Sequence, residues 1–591
     1  MKQFVKYTLA TVCGVLISGV VMAVVAIMLV SLFVLGSVGI DRQKGVSKEH
    51  SFLRLTLNGP LCEDERRSAL ELVFGRQAPC VSLREVVTAV REAKVDDDID
   101  GIFIRAQYLT DVSPAMAHEL REALCDFRKS GKHIVAYGDF YTQGSYYICS
   151  VADRVLVNPQ GHVDWHGLAV EPVFYKDLFA RLGIEMQVFR VGAYKAAVEP
   201  FTADEMSEEN RAQVRSYLSD IWGTMVGDVS ASRLISGERL EAYADSLTIF
   251  LSADSLAALG LVDGCCYLDS VSKILRELTG TERGVIPLVG VSDLCDRARL
   301  RGRGARQVAV YYATGEIMTE APGFADDVME MGKVMRDLRR LRQDETVGAV
   351  VLRINSGGGS AYASEQIWNE VRRLREQKPV VVSMSGAAAS GGYYIGCAAD
   401  YLVADANTLT GSIGIFGMVP DASGLLGDKL GLRFDAVKTN EHSDFGSLAR
   451  GFDSAEKRQM QAFIERGYDL FTQRVAQGRG MDIDTVRALA QGRVWTGRQA
   501  VENGLVDTIG SLDVAVKKAG ELANIGNYRV RIEPEAEPWY ESWRETSERD
   551  YFNLRVRAVL GALYEPLMFL YVNKGADWAQ ARMPYEINLL N

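Results

Sequence analysis

Polar and apolar positions alternate along Ser51-Phe-Leu-Arg-Leu-Thr-Leu57. This is the pattern of a strand, and it stops at the turn signal Asn58-Gly-Pro60. A matching run, Gln307-Val-Ala-Val-Tyr-Tyr312, ends near Gly315. Each is followed by helical periodicity, over 82–94 and 326–341, and then by an acidic turn, Asp96-Asp-Asp98 or Asp344-Glu345. An apolar strand comes next, then a helix over 114–129 or 363–377, then a second apolar strand over 134–137 or 380–384. Strands alternating with helices predict a mostly parallel α/β architecture.

The two series are copies of one unit. Gly101-Ile-Phe-Ile-Arg105 matches Gly348-Ala-Val-Val-Leu352, Tyr146-Tyr147 matches Tyr393-Tyr394, Asp153 matches Asp400 and Gly167 matches Gly414, all at an offset of 247 positions. Gly260-Leu-Val-Asp263 matches Gly504-Leu-Val-Asp507 with a small drift. The basic, glycine-containing stretch Arg299 to Gly304 is the natural boundary between them. The expected layout is therefore a first repeat over 51–298, a second over 305–525, and a C-terminal extension over 526–591 without counterpart. Within the extension, an acidic stretch over 533–548 precedes an apolar run over 555–571 that reads as a helix packed on the body.

Ahead of the repeats, Tyr7 to Ile40 carries no charge. That exceeds the ~20 residues needed to cross a bilayer, and it is longer than the apolar core of a cleaved leader, so residues 1–45 are expected to be a membrane anchor. A net charge of −11 gives no basic footprint, which argues against nucleic acid as a partner. Nine cysteines show no zinc spacing, and the six histidines include no HExxH. A Cys62–Cys80 bridge would need an oxidising compartment; buried free thiols are the plainer reading.

The candidate chemistry lies in the second repeat. Ser390 follows a predicted strand and opens an apparent helix over 391–399, and Gly391 and Gly392 let a substrate approach the backbone. Such a serine is also an ordinary helix cap. A second element, Asn355-Ser-Gly-Gly-Gly-Ser360, follows the apolar strand Val350 to Ile354, and its amides could face a developing oxyanion. It lacks the Lys-Ser/Thr ending of a P-loop. The first repeat has Gln143 in place of the serine and Ala106-Gln-Tyr-Leu109 in place of the glycines, so both features are missing from the same copy. A nucleophilic serine needs a base. The second repeat offers one histidine, His442, with no Ser-His-Asp constellation around it, which leaves a lysine made neutral by burial. Composition does not select which one.

Ala389-Ser-Gly-Gly-Tyr393, followed by Leu409-Thr-Gly-Ser-Ile-Gly-Ile-Phe-Gly417, closely resembles the signature of the bacterial signal peptide peptidase A (protease IV) family. In the first repeat, Tyr194-Lys-Ala-Ala-Val-Glu-Pro-Phe201 resembles that family's lysine motif. The similarity runs from about Phe52 to Ile525. It implies two tandem Clp-protease/crotonase-like domains of repeated strand–strand–helix units behind an N-terminal transmembrane helix. The implied enzyme is a single-pass serine endopeptidase of the bacterial inner membrane, with its catalytic domains on the periplasmic side, that degrades cleaved signal peptides and other apolar peptides. It would need no metal or other cofactor and would assemble as a homotetramer.

Carried over by position, Ser390 is the nucleophile, Lys195 the general base, Ser412 the residue that orients the lysine, and the amides of Gly391 and Gly358 the oxyanion hole. One site would then be divided between the repeats. The family's usual Asn-x-Pro-Gly-Gly is Asn355-Ser-Gly-Gly-Gly359 here, and losing the proline loosens the turn. The competing readings are a crotonase-type acyl-CoA enzyme and a scaffold retaining the fold for assembly alone.

Overall fold

The computed structural model describes residues 50–64, 80–281, 284–301, 306–320, 328–534 and 578–583, with isolated helical positions between 14 and 28. The first repeat places β1 (Ser51–Cys62), α1 (Leu83–Val95), β2 (Ile99–Thr110), α2 (Pro114–Arg128), β3 (His133–Tyr141), α3 (Gln143–Cys149) and β4 (Arg154–Val163) in succession. Its strands lie side by side as β1–β2–β3–β4, all parallel. The helices supply the crossovers that parallel pairing requires. In α1, Ser82 caps the first turn by accepting from the Glu85 amide. Leu83, Val86, Val87 and Val90 recur at helical spacing and are buried against the sheet. A fifth strand, β5 (Glu185–Arg190), and the long helix α4 (Glu208–Arg233) follow.

The second repeat replays the order with β6 (Arg306–Thr314), α5 (Met331–Gln343), β7 (Val347–Ser356), the short β8 (Gly358–Ser360), α6 (Ala361–Arg375), β9 (Val380–Ala389), α7 (Gly391–Gly396) and β10 (Tyr401–Ala404). Here β6–β7–β9–β10 are parallel neighbours. The strand β11 (Leu409–Gly411) pairs with the end of β9 and leads to β12 (Phe416–Asp421) and the long helix α8 (Ser454–Arg479). The duplication extends to individual bonds. Asp153 accepts from the Ile134 amide and Asp400 from the Val380 amide. Arg233 at the end of α4 pairs with Asp263, and Arg479 at the end of α8 pairs with Asp507. Tyr146 and Tyr393 donate to the carbonyls of Leu261 and Leu505.

Three expectations change. β1 does not stop at Asn58-Gly-Pro60; a register shift between Leu57 and Gly59, with Gly59 at φ 86°, absorbs the turn signal as a bulge, and pairing continues. Residues just beyond 525 do not leave the second repeat's sheet: β13 (Tyr528–Glu533) pairs with β6 much as Leu288–Val289 pairs with β1. Cys62 and Cys80 are joined in a disulfide rather than buried as free thiols. No helix among the described residues is long and apolar enough to cross a membrane. The expected anchor, the acidic stretch 533–548 beyond Pro534 and the apolar run 555–571 fall outside the described residues, apart from the isolated positions noted above.

A separate sheet ties the repeats together. Its order includes β8, then β14 (Gln580–Arg582), then β12, then β5. β5 of the first repeat pairs antiparallel with β12 of the second from Phe416↔Arg190 to Asp421↔Glu185. This carries the segment after Arg190 directly to the second repeat's glycine-rich turns.

Candidate active site

Ser390 sits between β9 and α7 in a backbone conformation that L-residues avoid, φ 54° and ψ −113°. Such strain persists only where the surroundings over-determine it. Here the Ser390 amide donates to the Gly411 carbonyl at 2.8 Å, fixing the turn to β11. Ser412, also at positive φ (49°), is held by its amide donating to the Arg493 carbonyl at 2.7 Å.

Lys195 reaches these two serines from the other repeat. β5 delivers the chain, and the Tyr194 amide donates to the Gln491 carbonyl. Gln213 on α4, itself buried, donates to the Tyr194 carbonyl and accepts from the Val494 amide, bracing both sides of the lysine's path. Glycine at 492 is required for this close approach: a Cβ there would lie 2.7 Å from the Lys195 Cα. Lys195 Nζ lies 2.8 Å from Ser390 Oγ, 3.1 Å from Ser412 Oγ and 3.1 Å from the Ser412 carbonyl oxygen. All three residues are fully buried. Burial pushes the Lys195 amine well below the ordinary lysine value. A neutral amine has two N–H donors and one lone pair, which matches three neighbours of which one is a hydroxyl with a proton to give.

The glycines of the second element face the same point. Gly358 has φ 106°, and a Cβ on it would lie 2.8 Å from the Gly391 nitrogen and collide with the Ala581 carbonyl oxygen. A Cβ on Gly391 would lie 3.1 Å from the Gly358 Cα and 3.1 Å from that same oxygen. The two backbones meet with no room for a side chain. The Gly358 amide donates to Ser356 Oγ at 3.2 Å, so the serine that precedes the missing proline's position holds the loosened turn.

All five residues singled out from the sequence thus converge. His442 does not join them. It sits in an exposed loop beside Glu456 and Asp453, both committed to the capping box of α8, with Glu456 also bound by Arg450. In the first repeat, Gln143 fills the serine's place. Its Oε1 accepts from the His166 and Gly167 amides and its Nε2 donates to the Gly167 carbonyl, closing the turn on itself. Gln213, Ser356 and the strand β14 beside the glycines were not singled out from the sequence. No local pattern marks a glutamine on a long helix or a three-residue strand.

A buried serine with a lysine amine at its hydroxyl, between duplicated α/β modules, is an arrangement that a hydrolase of the serine type can use. The chain belongs to peptidase family S49, whose model matches residues 126–282 and again 372–526. It is a serine protease of that family. The protein named Protease 4 from Salmonella typhi is 38% identical over 76% of this chain and 73% of its own length. The Haemophilus influenzae protein of the same name is 36% identical over 89% of this chain and 87% of its own. A solved ClpP1 mutant from Listeria monocytogenes aligns with 36% of this chain and 95% of its own at 16% identity and a TM-score of 0.24, too weak a likeness to argue from.

Proposed function

We propose that this protein is a membrane-anchored endopeptidase with a Ser390–Lys195 dyad, acting on cleaved signal peptides and other extended apolar peptides. The supporting observation is the 2.8 Å approach of a buried lysine amine to Ser390 Oγ. In this reading the neutral amine takes the Ser390 proton as Oγ attacks the scissile carbonyl, and the lysine then protonates the leaving amine. Water activated by the same amine releases the acyl group from Ser390. Ser412 orients the amine by holding one of its N–H groups. The amides of Gly391 and Gly358 stabilise the oxyanion, with Ser356 surrendering the Gly358 amide as charge develops. Residues 1–45 anchor the chain in the bacterial inner membrane with both repeats on the periplasmic side, where a Cys62–Cys80 disulfide is stable. The protein assembles as a homotetramer.

Peptide digestion with cleavage sites read by mass spectrometry tests the reading, together with labelling by a fluorophosphonate. Ser390→Ala and Lys195→Ala should each abolish cleavage while the protein stays folded, and Ser390→Ala should abolish labelling. Full activity in either variant overturns the dyad.

A further inference from the structure

Three polar side chains, Glu199, Asn210 and Gln213, form a buried line beside the lysine's segment. Glu199 lies in the motif Tyr194-Lys-Ala-Ala-Val-Glu-Pro-Phe201, and Asn210 and Gln213 lie in the first turns of α4. Asn210 Nδ2 donates to Glu199 Oε2 at 2.8 Å, and Asn210 Oδ1 accepts from Gln213 Nε2 at 3.0 Å. Gln213 Nε2 also donates to the Tyr194 carbonyl at 3.1 Å, and its Oε1 accepts from the Val494 amide at 3.1 Å. The Ser207 hydroxyl donates to Glu199 Oε1, so Glu199 accepts at both oxygens. On the outer side, Arg190 Nη1 stands 3.9 Å from Glu199 Oε1 and 3.5 Å from the Lys195 carbonyl oxygen.

These bonds leave each amide one orientation. Asn210 must turn its NH2 toward the acceptor Glu199 and its oxygen toward Gln213. Gln213 must then turn its NH2 toward Asn210, which aims the second N–H at the Tyr194 carbonyl and leaves the oxygen for the Val494 amide. The two ends of Gln213 reach opposite sides of the catalytic group. Tyr194 directly precedes Lys195. Val494 pairs with Gly411 of β11, whose carbonyl holds the Ser390 amide, and the carbonyl of the preceding residue, Arg493, holds the Ser412 amide. One side chain thus spans from the segment that carries the amine to the strands that anchor both serines.

We propose that Gln213 is a positioning residue for catalysis, a spacer held in one orientation by Asn210 and Glu199, which sets where the Lys195 amine stands relative to Ser390 and Ser412. This rests on the dyad reading. A misplacement of ~1 Å in a reacting group costs ~10²-fold in rate. The error falls on proton transfer and not on the strands that meet substrate, so it lowers kcat and leaves KM alone.

The test uses the full chain and a fluorogenic peptide of small apolar residues, with the folded fraction read by near-UV circular dichroism. Gln213→Glu keeps the side chain's shape but turns an oxygen toward the Tyr194 carbonyl and Asn210 Oδ1. It should lower kcat about tenfold or more with KM within about twofold of wild type. Its acid limb of kcat/KM should move to higher pH, because a carboxylate near the Lys195 amine favours the protonated form. Asn210→Asp sets a carboxylate against Glu199 and should lower kcat in the same way. Glu199→Gln/Asn210→Asp reverses donor and acceptor in that one bond, at unchanged net charge, and keeps an oxygen for Gln213. It should raise kcat about fivefold or more above Asn210→Asp and return the acid limb toward wild type. If Gln213→Glu does not fold, Asn210→Asp and the double variant carry the test. A folded Gln213→Glu with kcat within about twofold of wild type overturns the proposal, as does a double variant no more active than Asn210→Asp. A loss that follows the folded fraction with an unmoved acid limb assigns Gln213 to stability alone and overturns it too. Cleavage that persists in Ser390→Ala sinks the dyad reading instead, whereas a dead Ser390→Ala beside an unaffected Gln213→Glu sinks only the spacer.

Discussion

Lys195 and Ser390 stand 195 residues apart in the chain, and 2.8 Å separates the Lys195 Nζ from the Ser390 Oγ. Each belongs to a different copy of one duplicated unit, and each copy lacks what the other supplies. The strand pair β5:β12 makes this division workable, because it carries the lysine's segment across the boundary in fixed register.

The depressed lysine value sets a pH dependence. Activity should fall as pH drops through it, because the protonated amine cannot accept the Ser390 proton. The same burial also costs stability, by an amount that depends on pH. Between the depressed native value and the ~10.4 of an unfolded lysine, the unfolded chain binds one proton more than the native one, so stability rises with pH across that window. Lys195→Met removes this cost. The variant should be inactive, and its Tm relative to wild type should be highest at and below the depressed native lysine value and decline toward pH ~10. A Tm difference independent of pH would show that the lysine is not buried neutral.

Gly358→Ala should fold less stably and lose activity. The φ of 106° alone costs ~1–3 kcal/mol for a residue with a Cβ. The added methyl also meets the Gly391 nitrogen and the Ala581 carbonyl. The clash would shift the Gly358 amide from the oxyanion position proposed for it, and a misplaced donor of that kind lowers kcat ~10²–10³-fold. Gly131→Ala is the control: it also has positive φ, but open space surrounds it, so it should carry the backbone cost and keep full kcat. Steady-state kinetics beside urea denaturation separates the two effects.

Ser390 and the glycines could be read from the chain because they sit in short, strongly patterned turns at strand ends. Lys195 and Ser412 carry no such signal of their own and were reached only through the family resemblance of the motifs around them. The alternation of strands and helices in both repeats was legible, since apolar periodicity is a local signal. What was hidden depends on partners distant in sequence. Asn58-Gly-Pro60 reads as a stop, yet β2 holds the strand through the bulge. Gln580-Ala-Arg582 has no strand pattern at all, and becomes a strand only because β8 and β12 leave a slot for it. The Cys62–Cys80 bridge is likewise a fact of where two segments end, since Leu61 and Cys62 pair with Val81 and Ser82.

The disulfide stands next to a buried ion network that joins the repeats. Arg353 on β7 donates to Glu63 and Glu119 of the first repeat and to Ser383 and Ser385 on β9. Burial raises the Glu63 carboxyl above its usual range, so its ionisation depends on Arg353. Arg353→Met strands two buried acids and should destabilise the protein by ~3–5 kcal/mol. Arg353→Met/Glu63→Gln/Glu119→Gln should recover part of that loss in the urea midpoint. A triple variant no more stable than the single one would mean that packing, not charge, holds the repeats together here.

The duplication also leaves one strand pair unmade. β5 of the first repeat zips onto β12 of the second, but their counterparts do not meet within the chain. Leu430-Gly431-Leu432 corresponds to Leu182-Gly183-Ile184, so residues 433–438 are the second repeat's version of β5; residues 168–174, just after Gly167, are the first repeat's version of β12. Neither stretch is paired among the described residues. Both expose apolar side chains, with Val437 fully exposed, Phe434 at 58% and Val173 at 62%. An open edge of this kind invites another chain. If 433–438 of one copy pairs with 168–174 of the next, the contact is head to tail, and a closed ring follows when the rotation closes, as the proposed homotetramer requires. Val437→Lys with Phe434→Asp should reduce the assembly to monomers in sedimentation, while Lys195 and Ser390, which meet within one chain, continue to cleave peptide. An assembly of unchanged size would place the interface elsewhere.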